Sequence, residues 1–327
     1  MELFKEYSPE LPEFISELAS TPEMKRLANV GMNCGCEYTD FTHFRDIGAY
    51  SRLEHSIGVG LIVWSFTHDK TQSASGLLHD IATPVFAHVV DFLHGDHMTQ
   101  ESTENETASI ILASGSIVSI LKRHGIEPSE VTDYHKYPIA DNDSPRLSAD
   151  RLEYTFGNMV NYGFAPASKV SELYTAIESG INENGEPELI FSSQSMALEF
   201  AEYSLRCSKV YVCDEDRYSM QMCAELIRDA ISSKVVTEAD LKLTEPEFIV
   251  KLCADELFNS RWQHYRAYSH IVPDTGDSPE ARVIKAKKRY IDPYIKNKGR
   301  VSEVFPEYGN ALKAFLSASQ EQPIRGI

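Results

Sequence analysis

Cysteine is scarce in this chain: six residues in 327, at positions 34, 36, 207, 213, 223 and 253. They are too few and too scattered for a disulfide scaffold, so reduced thiols are expected. Cys34-Gly35-Cys36 is spaced too tightly for the usual zinc knuckle, and no second pair follows. Basic residues are in deficit, with 31 Lys and Arg against 49 Asp and Glu and a net charge of −18. That field repels nucleic acid and anionic membrane unless positive charge is concentrated locally. No run approaches the ~18 apolar residues of a membrane span. The opening Met-Glu-Leu-Phe-Lys-Glu has neither the basic nor the apolar region of a signal peptide, and the expectation is a cytoplasmic protein. Repeats and low-complexity tracts are also missing.

What is present is 42% hydrophobic and 24% charged residues, the composition of a globular protein able to bury a large core. Apolar residues recur at spacings of three and four, the helical period. Leu53, Ile57, Leu61 and Trp64 form one stripe of a core-facing helix over 51–68. A second helix runs through Ala74, Leu77 and Leu78 to His79-Asp80, and Pro84 starts a new segment that carries Val85, Phe86, Val89, Val90 and Leu93. A long apolar helix is expected from Thr103 to Leu121, stopping at His124-Gly125. Residues 127–145 read as a connection, and Ser148 as the N-cap of a helix with Asp150 in its first turn. Asn182 to Glu186 followed by Leu189-Ile190-Phe191 reads as a hairpin, the one strand signal of weight. Helical patterning resumes over 197–234 and 245–260. From 282 to 300 the charge inverts, with Arg282, Lys285, Lys287, Lys288, Arg289, Lys296, Lys298 and Arg300 against Asp292; such a run is usually a solvated face, and Tyr290 and Tyr294 within it leave a subunit contact open.

The residues that carry chemistry are His55, the pair His79-Asp80 and Asp150. Two imidazoles and two carboxylates form a ligand set suited to Mn, Fe, Zn, Ni or Mg, with coordination positions left for water and a substrate oxygen. Around them stand Arg52-Leu53-Glu54-His55-Ser56-Ile57-Gly58-Val59, Gly76-Leu77-Leu78-His79-Asp80-Ile81, Phe86-Ala87-His88 and Asp150-Arg151-Leu152-Glu153-Tyr154. This pattern resembles the HD-domain metal-dependent phosphohydrolases. It looks most like their deoxynucleoside triphosphate triphosphohydrolase branch, over about residues 42–252, including Leu121 to Pro128, Val210-Tyr211 and Leu243-Thr244-Glu245.

The resemblance implies that His55, His79, Asp80 and Asp150 hold one divalent ion, that Arg52, His88 and Arg151 contact phosphate alongside the ligand Asp80, and that Tyr154, Tyr211 and Asn158 line the substrate pocket. Asp91 would support the ligands from behind. Arg52 and Arg151 could otherwise pair with Glu54, Glu153 or the ligands themselves. The chain departs from the branch at Thr83 and Asn105, where histidines are usual, at Cys213 and Asp214, where histidine and lysine are usual, and at Tyr203 in place of arginine. Removing cations and adding an acid argues against a triphosphate substrate. His94, Asp96 and His97 offer substitute acids or bases, and Glu101 or His97 with His124 offers a second metal, although His124 also suits a helix C-terminus.

The expected fold is all-α: an HD-domain helical core over about 42–165 and a helical C-terminal extension over about 166–327, in one domain with at most a small β-hairpin. The expected function is metal-dependent hydrolysis of a phosphate ester in a small phosphorylated metabolite, with a nucleotide among the candidates. A non-catalytic nucleotide or phosphate sensor and a dinuclear iron oxygenase are the alternatives. The resemblance also implies a homo-oligomer.

Overall fold

The computed structural model describes residues 3–95 and 106–327. Asp96, His97, Glu101 and Asn105 therefore lie outside the described residues. The chain is mostly helical, and the three helices that bear the chemistry start where the sequence supplies caps. Ser51 and Glu54 close a reciprocal capping box on the helix Arg52–Thr67. Asp69 accepts from the amides of Thr71 and Gln72 at 2.8 and 3.2 Å to open Lys70–Leu78. Ser148 accepts from the Arg151 amide at 3.3 Å to open Ala149–Asn161.

These helices pack closely because their facing positions are small. The Ser73 hydroxyl donates to the Gly60 carbonyl at 2.7 Å across the first pair, and a Cβ at Gly60 would stand 3.1 Å from Leu77 Cβ. On the third helix Gly157 leaves room for the Tyr50 phenol, which a Cβ there would meet at 2.2 Å. The contacts feed a core containing Leu61, Leu77, Leu152, Phe156 and Phe200. A second buried cluster gathers Phe41, Phe86, Phe248 and Trp262. Each cluster draws on residues from both sides of position 165.

Several boundaries differ from the sequence reading. The helix expected from Thr103 to Leu121 is two helices, Thr107–Ala113 and Gly115–Arg123, because Ser114 is extended and caps the second. The run 197–234 is Gln194–Val210 and Asp214–Ser232, and Pro84 opens turns rather than a helix, which begins only at Val89. The extension is not wholly helical. The expected hairpin exists, Ile177–Ile181 against Pro187–Phe191 with Ile177 opposite Phe191, but Tyr294–Ile295 adds in parallel and Gly299–Arg300 follows antiparallel to make four strands. A second sheet pairs Ile271–Pro273 with Ile324–Gly326. Strands of two or three residues show no period of two, so alternation could not reveal them.

The basic stretch 282–300 is consequently an extended strap, not a solvated face. Arg300 is buried and bridges Glu188 and Glu183 on the hairpin at 2.7 and 2.8 Å. Arg282 grips Glu225 at 2.8 Å, and Lys288 donates to the carbonyls of Leu316 and Ala318 at 2.7 and 2.5 Å. These anchors fix Ala286–Tyr290 in the lining of a cavity.

Candidate functional site

That cavity has a volume of about 570 Å³, within the usual range for small-ligand sites. His55 projects from the first turn of Arg52–Thr67, His79 and Asp80 from the end of Lys70–Leu78, and Asp150 from the first turn of Ala149–Asn161. Their donor atoms converge. His55 Nε2 lies 3.2 Å from His79 Nε2, 3.1 Å from Asp150 Oδ1 and 3.8 Å from Asp80 Oδ2. His79 Nε2 lies 3.6 Å from Asp80 Oδ2 and 3.7 Å from Asp150 Oδ1. Ligands each about 2.1 Å from one ion would be roughly 3.0–3.4 Å apart, so His55, His79 and Asp80, with Asp150 beside the imidazoles, could hold a metal.

Proton placement sharpens this. His79 Nδ1 donates to the Gly76 carbonyl at 2.6 Å, and His55 Nδ1 donates to Glu153 Oε2 at 2.6 Å. A neutral imidazole with its proton on Nδ1 presents a lone pair at Nε2. With both imidazoles neutral, two lone pairs would face each other at 3.2 Å, an arrangement that calls for a proton or a metal ion between them. The surrounding acids favour positive charge at this point. Burial pulls the His55 pKa down, but hydrogen bonds to Asp150 and Glu153 outweigh it and carry it up to about 10. Asp80 and Asp150 are both held well below the usual carboxylate range despite burial, Asp80 chiefly by Arg52 and Asp150 chiefly by its bond to His55.

The supporting contacts are specific. Asp80 Oδ2 pairs with Arg52 at 2.9 Å, and Asp80 Oδ1 accepts from the Thr83 hydroxyl at 2.8 Å. Thr83, where the resemblance leads one to expect histidine, thus orients a carboxylate. Glu153 accepts from Tyr50 and His55 and is nearly inaccessible, so it steers His55 rather than pairing with Arg151. Gly58 makes that geometry feasible, since a Cβ there would meet Glu153 Cγ at 2.5 Å and its carboxyl carbon at 2.8 Å. The Gly58→Ala protein is expected to bind divalent metal about 10–100-fold more weakly, as for loss of other supporting partners of a ligating histidine; titration with manganese checks this, and unchanged affinity would contradict it.

His88 sits beyond a braced loop. Phe86 and Ala87 adopt φ values of 56° and 45°, left-handed conformations costing about 1–3 kcal/mol each. Phe86 offsets the strain by burial against Phe248, Trp262 and Tyr38. Asp91 accepts from His88 Nδ1 at 2.8 Å, and the Arg289 guanidinium donates to Nε2 at 3.2 Å. Burial and Arg289 lower the His88 pKa, leaving a neutral imidazole. Asp91 therefore orients His88. Arg151 is held by Asn142 at 2.9 Å and Asp141 at 3.1 Å. Tyr154 and Tyr211 meet edge to face with centroids 6.1 Å apart, and Asn158 donates to the Tyr211 hydroxyl at 2.9 Å. Arg52, His88, Arg151, Tyr154, Tyr211 and Asn158 all line the one cavity.

Other expectations change. Cys213, Asp214 and Tyr203 are not among the residues lining the cavity, and Asp214 is bound to Arg217; the cations that do line it are Arg52, Arg151, Lys287, Lys288 and Arg289. His124 bonds Glu17 at 2.6 Å and does not line the cavity, and His94 faces Glu238 at 3.8 Å. Cys34 lines it, but burial pushes its thiol up to about 12, too high for a nucleophile at neutral pH. Tyr134, His135 and Asp216 were missed, as was the strap. The Tyr134 ring packs at a tilt, with its centroid 5.1 Å from that of His79 and 4.3 Å from that of His135. A histidine in an apparent connection was the available signal for His135; nothing local marked Asp216.

Comparison with known proteins fits this geometry. No protein-family model matches the chain. It is 28% identical over 273 residues to the uncharacterized protein YdhJ of Bacillus subtilis, covering 80% of this chain and 81% of that one. It is 26% identical over 206 residues to a protein of Cordyceps militaris named metal-dependent phosphohydrolase cns2, covering 62% of this chain and 55% of that one. Among solved structures, a phosphohydrolase from Bacteroides thetaiotaomicron superposes with a TM-score of 0.66 over 97% of this chain and 96% of that chain, at 14% identity. The chain thus shares its fold with a phosphohydrolase and is similar over 62% of its length to a protein named as a metal-dependent one.

Proposed function

We propose that this chain is an HD-type metal-dependent phosphohydrolase that cleaves a phosphate monoester of a small metabolite. The observation that carries the reading is the pair of imidazole Nε2 atoms 3.2 Å apart, each ring with its Nδ1 engaged away from the cluster. His55, His79, Asp80 and Asp150 would hold one divalent ion, and this nitrogen and oxygen set suits Mn, Fe, Ni, Zn or Mg. A bound ion of this kind lowers the pKa of water and draws charge from phosphoryl oxygens.

The chain's own residues orient the ester. Arg52 presents a guanidinium pre-aligned by Asp80, and Arg151 one pre-aligned by Asp141 and Asn142. Pre-set cations stabilise charge as it develops on the phosphoryl oxygens. Lys287 and Arg289 bring further positive charge from the strap, so a pocket for an anion exists within a strongly acidic chain. His88, kept neutral, presents Nε2 toward Arg289 and holds that guanidinium in the cavity.

His135 is the group we assign to protonate the leaving oxygen. It lines the cavity with Nδ1 3.2 Å from Asp133 and Nε2 3.6 Å from Asp141. His135→Gln is expected to slow release of an alkyl alcohol about 10²-fold or more while changing p-nitrophenyl phosphate turnover little, because p-nitrophenolate leaves without a proton. Equal loss on both substrates would remove the assignment.

The reading itself is tested by incubating manganese-loaded protein with phosphomonoesters and with nucleoside mono-, di- and triphosphates. Release of inorganic phosphate supports it. Tight binding without turnover favours a sensor, and release of triphosphate would return the chain to the triphosphohydrolase branch.

A further inference from the structure

Glu153 is 2% exposed and, among the described residues, receives three side-chain donors. His55 Nδ1 and the Tyr50 hydroxyl both donate to Oε2, the imidazole at 2.6 Å, and the Tyr7 hydroxyl reaches Oε1 at 3.5 Å. A carboxylate has about four lone-pair sites, and a buried one is costly unless donors fill them. The two phenols therefore govern how this carboxylate lies, and its orientation governs which ring nitrogen of His55 is left for an ion.

Both phenols are held by their own surroundings. Tyr50 directly precedes the cap Ser51; its carbonyl accepts from the Met32 amide at 3.0 Å, and its hydroxyl lies where a Cβ on Gly157 would stand. Tyr7 closes the short helix Phe4–Tyr7. Its carbonyl accepts from the Ser65 hydroxyl at 2.6 Å, and its ring stacks on Phe156 with centroids 6.4 Å apart. Burial and the nearby Glu153 push both phenols well above their ordinary range, so each remains a hydroxyl that can donate. Neither tyrosine is among the residues lining the cavity of His55 and His79; they reach its chemistry through Glu153.

We propose that Tyr50 and Tyr7 are positioning residues of the metal centre: by donating to Glu153 they set Oε2 against His55 Nδ1 and so direct His55 Nε2 at the ion. Tyr50 carries the larger share because it meets the same oxygen as His55, whereas the Tyr7 bond is long. A hydrogen-bonded chain thus ties the beginning of the polypeptide to the ion. The inference rests on the metal-site reading above.

Manganese affinity is measured calorimetrically for wild type, Tyr50→Phe, Tyr7→Phe, Glu153→Gln and the double variant Tyr50→Phe/Glu153→Gln. Phenylalanine keeps each ring and removes only the donor. Tyr50→Phe should weaken manganese binding about tenfold, within the range for lost partners of a ligating histidine, and Tyr7→Phe about threefold. Because Tyr50 acts through Glu153, the double variant should bind no more weakly than Glu153→Gln alone, a coupling that a merely structural tyrosine would not show. A second readout does not depend on affinity or on Glu153→Gln folding. In spectra of protein with isotope-labelled histidine and added zinc, the His55 Nδ1 proton should resonate far downfield in wild type and move upfield in Tyr50→Phe. The proposal is overturned if Tyr50→Phe binds manganese as wild type does, if the losses from Tyr50→Phe and Glu153→Gln add, or if the His55 proton is unmoved. A wild type that takes up no divalent ion would sink the metal-site reading, and the histidine spectrum alone would then decide whether the phenols orient His55.

Discussion

Asp80→Ala is expected to reduce phosphate release by at least about 10³-fold, the scale on which essential groups of a hydrolytic centre act. Three effects coincide at this residue. Its Oδ2 lies within 3.6–3.8 Å of both imidazole Nε2 atoms, so the cluster would lose one of its proposed ligands. Its removal also leaves Arg52, 7% exposed and paired with Asp80 at 2.9 Å, as an uncompensated cation beside the ion. Finally Thr83 loses its acceptor. Metal content should fall in parallel with activity. Asp80→Asn separates the contributions, because it preserves the shape and the Thr83 contact but removes the charge, and it should fail nearly as completely. Activity within tenfold of wild type in either variant would contradict the assignment.

Arg52→Ala is expected to lower kcat/KM by about 10²–10³-fold, the loss typical of one preorganised donor to a developing anion, while manganese remains bound. Asp80 keeps its hydrogen bond from Thr83 and its proximity to the two imidazoles, so the ion should be retained. Arg52→Lys restores charge without the planar fork and should recover only part of the loss. This pairing of results distinguishes a phosphate contact from a structural ion pair. If metal occupancy collapses along with activity, Arg52 serves to position Asp80 and its role as a phosphate contact fails.

The parts of the site legible in the sequence were those encoded locally. Ser51 and Ser148 announce helix starts, and each start places one candidate ligand, His55 or Asp150, in a first turn. His79 and Asp80 are adjacent in the chain and sit at a helix end whose apolar stripe is evident. What joined these pieces was the family resemblance, since periodicity gives faces of helices but not which helices meet. Glu153 was visible only as an alternative partner for the arginines: it lies in the run Asp150 to Tyr154, yet it bonds His55, 98 residues away.

The remainder was hidden because it depends on contacts remote in sequence. Arg289 reaches His88 across 201 residues, and no local signal separates a basic strap from a solvated basic face. The strap is fixed by Glu225, Glu188 and Glu183, acids whose placement only the fold decides. Asp216 follows two other acids in the first turn of its helix and reads like an ordinary N-terminal carboxylate; its burial beside Cys36 gives it a different chemistry. Ser114 shows the reverse case, where a recognisable cap lay inside an apolar run that masked the break.

The most direct measurement is anomalous X-ray scattering from a crystal of the manganese-loaded protein, recorded on both sides of the manganese edge. The account predicts one peak per chain, within about 2.0–2.4 Å of His55 Nε2, His79 Nε2 and carboxylate oxygens of Asp80 and Asp150. No peak at that point in a protein that hydrolyses phosphoesters, or a peak held by other residues, would contradict it.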